Sequence, residues 1–372
     1  MPAPPVRATA PAPLPVVVLV VCGLLSLGAV TAEIGWGGLL PGLALAAVPV
    51  GPVLATVLWL DRHEAEPPHL LAFAFGWGAC VASLGALVLN TGASRLLDRV
   101  FHHDFGGAVG DVTNTSVLVA PVVEEALKGL GVLLLLLKQR RQFDGVVDGI
   151  VYAAFVGVGF AFLENVLYLG RALGDDQPAS LVAVFVLRCL VSPFAHPLFS
   201  MAVGVGLGLA ARRRSALHRV GAPVLGFAVA VVLHALWNAS AGAGVATFFE
   251  LFLLLQVPVF AAAVAVALAA RVREARLIAR HLQVYVRTGW LGESEVEMLA
   301  SARGRRRARS LASARGGAPA ARAVREFQEA ATELAFRRDR LRRGTVQSSP
   351  QEEVELLEQL AAHRREVLAH LP

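Results

Sequence analysis

The chain has 372 residues, 56% of them hydrophobic and only 17% charged, with a formal net charge of +6. Soluble globular domains carry nearer a quarter charged residues, so this composition excludes an ordinary soluble enzyme. The charge is confined to one end: residues 271–372 hold 20 arginines against 13 acids, and the rest is close to neutral. A basic tail beside a bilayer reads as facing anionic lipid. No recognition motif accompanies it, so nucleic acid is not an expected partner. Lysine occurs only at Lys128 and Lys138, an arginine bias that fits a GC-rich bacterial genome. Cys22, Cys80 and Cys189 lie in apolar runs without a C-x-x-C pair, so no disulfide framework is expected.

A helix needs about 20 apolar residues to cross a bilayer. After an N-terminal segment (1–13), eight such spans are read at 14–31, 38–60, 69–90, 114–137, 147–169, 180–210, 220–241 and 248–270. Val30, Thr31 and Ala32 resemble a cleavage site, and the alternative reading makes the first span a signal peptide and leaves seven. Lys138, Arg140 and Arg141 follow the fourth span. Arg212, Arg213, Arg214 and Arg219 follow the sixth, and Arg271, Arg273 and Arg276 the eighth. Those loops are expected in the cytoplasm, with both termini. Residues 91–113, 170–179 and 242–247 then lie outside. The tail starts as an amphipathic helix (272–288), turns at "RTGWLGESE", and carries a flexible linker at 314–323. Helices follow at 324–343 and 351–369, the second with Val354, Leu357, Ala361 and Leu368 at helical spacing, a solvated helix or a partner-docking one. The expected fold class is thus all-α: a polytopic membrane helix bundle of about eight transmembrane helices (14–270) with a helical cytoplasmic C-terminal tail (271–372).

Ionisable residues inside such spans are costly and are read as functional by default. They are Glu124, Glu125, Lys128, Glu164, Arg188, His196 and His234. On a helix of 3.6 residues per turn, Lys128 falls between Glu124 and Glu125, four and three positions on, and can balance one of them. Asn165 adjoins Glu164. Ser192, His196 and Ser200 align at steps of four, with Pro193 and Pro197 expected to bend that span. His234 and Asn238 align likewise. From the span ends, Glu124 lies roughly 15 Å, Glu164 roughly 9 Å and His234 roughly 10 Å below the outer surface, at about 1.5 Å per residue. That common level in the outer half of the bilayer suits hydrolysis. A glutamate serves as general base toward water, and a His or Asn donates to an oxyanion. Glu164, His196 and His234 are candidate ligands for zinc, although H-E-x-x-H is absent. Two other classes remain open: a transporter or proton relay, and a scaffold in which the same residues only hold helices together.

The motifs "EEALK" (124–128), "FAFLEN" (160–165), His196 after "RCLVSP", and "HALWN" (234–238) resemble those of the PrsW family of intramembrane proteases, relatives of the CAAX-processing and bacteriocin-immunity membrane proteases. "LDRHEAEP" (60–67) resembles that family's early motif. The resemblance covers most of 50–290. It implies a bacterial plasma-membrane protease whose substrate is a single-pass membrane protein, such as an anti-sigma factor cut on its extracytoplasmic side. It also implies Glu124, Glu125, Glu164, His196, His234 and Asn238 as catalytic residues, with Lys128 in charge balance and Arg188, Asn165 and Ser192 in support. Zinc dependence and a metal-free glutamate–histidine site both stay open.

Overall fold

The computed structural model describes residues 13–61, 66–104, 115–140, 142–143, 145–174, 178–212, 215–242, 245–344 and 350–370. The N-terminal segment up to residue 12, Arg141, Arg213, Arg214, residues 62–65 of the early motif, and 105–114, 175–177 and 243–244 of the expected outer loops lie outside the described residues. The chain forms two compact units, the second comprising Val264–Pro372 together with Leu60–Ala65 and Arg212–Ser215.

The described elements are all helical. α1 covers Pro13–Ala47 and α2 Val50–Leu60. α3 runs through Pro68–Gly76, a π-helical stretch Trp77–Ala82, and Ser83–Asp104. α4 is Ala120–Lys138, entered through π turns at Thr115–Val119. α5 is Val146–Gly174. α6 joins Pro178–Phe185 to π turns at Val186–Val191. α7 is Ala195–Ala211 and α8 Ala216–Gly242. α9 joins Val245–Leu251 and Phe252–Gln256 to Val257–Arg287. Proline stands in the first turn of several helices (Pro68, Pro121, Pro178), where its missing N–H costs nothing.

Among the described residues, six stretches are long and apolar enough to cross a membrane: Leu14–Leu60, Pro68–Leu97, Val146–Gly174, Pro178–Ala211, Ala216–Ala241 and Ala246–Arg287. The count of eight expected from the sequence is not reached by that measure. α4 drops out because Glu124, Glu125 and Lys128 interrupt its apolar run, and the first two expected spans merge into one. Within that merged stretch the neighbours reverse. Leu19 lies against Gly76 and Gly23 against Cys80, ascending alongside α3. Gly38 then meets Gly170 and Gly42 meets Val166, descending along α5. The reversal falls at Gly35, whose φ of 65° is open to glycine at little cost. Val30, at the alternative cleavage site, is buried in the cluster that includes Leu39, Leu163 and Val166.

The sixth expected span is broken rather than bent. Pro193 disfavours helical geometry at Ser192 (φ −129°, ψ 41°), and the helix resumes at Ala195. Pro197 sits in the first turn of α7, where it is tolerated.

α5 is the hub of the first unit, buried along most of its length. Glycine makes this contact close. A Cβ on Gly149 would overlap the Gly204 carbonyl of α7, and one on Gly204 would overlap the Gly149 carbonyl. Gly159 meets Phe75 of α3 in the same way. Close backbone approach of this kind is how helices associate in lipid, where apolar burial supplies no drive. The outward faces of this unit carry exposed Leu24, Leu25, Leu217 and Leu254, whose solvent is hydrocarbon.

The second unit adds α10 (Glu293–Ala300), α11 (Ala302–Arg343) and α12 (Pro350–His370). Its core is built on Ile278, Leu282, Phe327, Leu334, Phe336 and Leu360, among others. Residues 314–323, expected as a linker, are helical within α11. Gly317 (φ 68°) breaks the helix, Pro319 opens the next turn, and Ala320 is buried. The buried face of α12 is Leu356, Leu357 and Leu360, packed into the tail core, while Val354 and Leu368 are exposed. The expected stripe was one-quarter turn away from the face that docks.

Candidate functional site

Six helices of the first unit bring their polar side chains to one interior point. α4 supplies Glu124, Glu125 and Lys128, all buried, the last two at 0% exposure. Lys128 Nζ donates to Glu125 Oε1 at 2.6 Å and lies 3.9 Å from Glu124 Oε2. It also sits 4.1 Å from the centroid of the Phe160 ring, whose face attracts a cation. The three-charge stretch survives in an apolar helix because its positive and negative groups meet each other rather than lipid.

Glu125 is fully engaged. His234 Nδ1 bonds its Oε1 at 2.9 Å, and Ser200 Oγ donates to its Oε2 at 3.2 Å. A carboxylate at Nδ1 holds the proton on that nitrogen and leaves Nε2 as an acceptor or ligand. His234 Nε2 in turn faces Glu124 Oε2 at 3.7 Å. Glu124 Oε1 accepts from Asn90 Nδ2 of α3 at 3.2 Å. Glu124 Oε2 is buried without a hydrogen-bond partner.

The remaining residues approach from the other side. His196 Nε2 bonds Glu164 Oε2 at 2.6 Å, and its Nδ1 is 3.4 Å from Lys128 Nζ. Arg188, in the π turns of α6, bonds Glu164 and donates through Nε to Asn165 Oδ1 at 2.7 Å. The rings of His196 and His234 lie 5.1 Å apart, and Phe199 stacks on His234 at 5.0 Å. Three carboxylates therefore meet one lysine and one arginine.

The structure thus gathers Glu124, Glu125, Lys128, Glu164, His196 and His234 into one network, with Arg188 and Asn165 at its edge. Two expected members stand apart. Asn238 Nδ2 donates to the Ser116 carbonyl at 2.8 Å, pinning the turns that lead into α4. Ser192 Oγ donates to the Leu187 carbonyl at 2.6 Å and closes the end of α6. Asn90 was not anticipated from the sequence. Glu66 of the early motif is buried and accepts from the Tyr152 hydroxyl at 2.5 Å, on the described part of that motif.

Among the described residues of this unit, the ligand atoms that converge within 4.8 Å belong to Glu124, His196 and His234. Glu164, expected as a ligand, meets Arg188 and His196 through its Oε2. The donor set of two imidazoles and one carboxylate is that of many catalytic zinc sites. The partnerless Glu124 oxygen fits a cation as well, so the residues present suit a metal.

A membrane-embedded bundle with a buried acid–histidine centre is the class that fold and cluster define. A profile described as PrsW family intramembrane metalloprotease matches residues 66–265, more than half of the chain, and the protein belongs to that family. It is 30% identical over 166 residues to Protease PrsW of Clostridioides difficile, covering 44% of this chain and 64% of that protein. With Protease PrsW of Geobacillus kaustophilus it shares 31% over 169 residues, 45% of this chain and 66% of the relative. With that of Oceanobacillus iheyensis it shares 30% over 199 residues, 53% and 82% respectively. The chain spans just under two thirds of the length of the first two. No solved structure matches it.

Proposed function

We propose that this protein is an intramembrane endopeptidase that hydrolyses a peptide bond of a membrane-anchored protein. The observation that carries the reading is the meeting of Glu124 Oε2, free of hydrogen bonds, with His234 Nε2 at 3.7 Å beside His196. Of the paired glutamates, Glu124 is the one with an oxygen left free of protein partners, so that oxygen is the one that would meet the metal. Both oxygens of Glu125 are occupied, so Glu125 positions His234 and its tautomer. Lys128 offsets the charge of the pair. Glu164, clamped by Arg188, orients His196. Glu124, His196 and His234 would hold the metal that the family description implies. When bound, such an ion polarises a scissile carbonyl and makes water nucleophilic near neutral pH.

A narrow cleft lined by Arg188, Ser192, His196 and Trp237 reaches the His196 edge of the cluster, with room for about one water. The substrate class is a single-pass membrane protein of the anti-sigma-factor type, cut near its extracytoplasmic side, in a bacterial plasma membrane with both termini of the enzyme cytoplasmic. In support, Glu124 lies 14 residues from Lys138 along α4, roughly 21 Å at 1.5 Å per residue, toward the end away from the basic loop.

The test is reconstitution in liposomes with a tagged single-pass substrate. Cleavage by the wild type that disappears in a folded Glu124→Gln variant supports the proposal. Cleavage that survives this substitution removes Glu124 from the chemistry. Proton or cation flux without cleavage indicates transport instead.

A further inference from the structure

The tail unit contains a cleft of about 510 Å³, within the size range of small-ligand sites. α9 lends Arg280, His281 and Val284 from one face, and α11 lends Arg338, Leu341 and Arg342 from one face. Glu353 of α12 closes the third side. Most of these polar groups are already answered. Arg338 Nη1 donates to Glu353 Oε1 at 2.8 Å, and the Tyr285 hydroxyl donates to the same oxygen at 2.5 Å. His281 Nε2 lies 3.3 Å from Asp339 Oδ1. Arg280 and Arg342 are exposed at the rim, with no carboxylate partner among the described residues.

Two unanswered guanidinium groups facing one cleft repel each other, and an anion between them reverses the sign of that energy. Their planar forks match phosphate oxygens two at a time. The apolar Val284 and Leu341 offer contact to a short organic group beside such an anion. We propose that this cleft binds a phosphate monoester dianion held by Arg280 and Arg342, with Arg338 behind them. Two sources carry that chemistry: a soluble phosphorylated small molecule, or the headgroup of a phosphomonoester lipid.

The experiment uses the full chain in detergent micelles. One arm titrates glycerol 3-phosphate by calorimetry. The other counts bound phosphatidic acid by native mass spectrometry, against phosphatidylglycerol, a phosphodiester of lower charge. Arg280→Ala/Arg342→Ala is expected to weaken binding about tenfold or more. Arg322→Ala/Arg325→Ala removes the same charge from an exposed part of α11 and is expected to leave binding unchanged. Binding in the first arm alone assigns the soluble source; binding in the second alone assigns the lipid; binding in both assigns the shared headgroup chemistry. The proposal is overturned if the wild type binds neither probe, or if both double variants weaken binding equally.

Discussion

Replacing Lys128 by Met keeps the shape of the side chain and deletes its charge. Lys128 and Glu125 are both fully buried and 2.6 Å apart. At an effective dielectric of about 20, that separation corresponds to about 6 kcal/mol of Coulomb attraction, most of it offset by the desolvation of both groups. Breaking such a pair from one side leaves an uncompensated buried charge, which costs about 3–5 kcal/mol. Here the penalty falls on two carboxylates, because Glu124 Oε2 is also only 3.9 Å from the ammonium. Lys128→Met is therefore expected to lower the unfolding free energy in detergent by about 3–5 kcal/mol. Removing both charges, in Glu125→Gln/Lys128→Met, is expected to restore part of that loss, because a neutral pair needs no compensation. A double-mutant cycle on the purified protein measures both quantities. Additive losses, or a Lys128→Met variant within about 0.5 kcal/mol of the wild type, would show that the ammonium does not hold the glutamate pair.

Four further outcomes are expected. Glu124→Gln should abolish cleavage while changing stability by less than about 1 kcal/mol, since its Oε2 makes no hydrogen bond; paired activity and unfolding assays decide this, and a large stability loss would count against it. Asn90→Ala removes the donor to Glu124 Oε1, and a turnover drop of about 10–100-fold is expected; unchanged kinetics would make Asn90 incidental. His234→Ala should reduce metal co-purifying with the protein, and chelation should silence the wild type until metal is returned; elemental analysis with full metal retention in the variant would exclude His234 as a ligand. Gly204→Ala forces a methyl group into the Gly149 carbonyl and should cost about 1–3 kcal/mol, read as a lowered unfolding midpoint; an unshifted midpoint would mean that the two helices separate freely.

The first unit was readable from the sequence because its solvent is hydrocarbon. Apolar runs mark the helices, and an ionisable group within one must turn inward, so Glu124, Glu164, His196 and His234 were identifiable before any contact was known. Their meeting point followed from shared depth. Asn90 was not identifiable: a single amide at the end of an apolar run looks the same whether it faces headgroups or Glu124. Asn238 carried the opposite ambiguity. Its spacing from His234 placed it on the same face, but a rise of one turn, about 5.4 Å, puts its amide against the Ser116 carbonyl instead. Spacing along a helix likewise does not reveal that Arg188, from another helix, pairs with Glu164. In the tail, glycine and proline at 316–319 imply flexibility only when nothing packs on them, and Ala320 and Ala323 are buried.

The contact between Gly149 and Gly204 bears on how this protein can change over evolutionary time. Most packed pairs drift by exchange: one residue grows as its neighbour shrinks, and the volume between them is conserved. Here each partner is already the smallest residue, and what it touches is the other's backbone. Neither position has a smaller state to move into, so no second substitution can rescue the first. At this point the crossing of α5 and α7 is therefore closed to that kind of exchange.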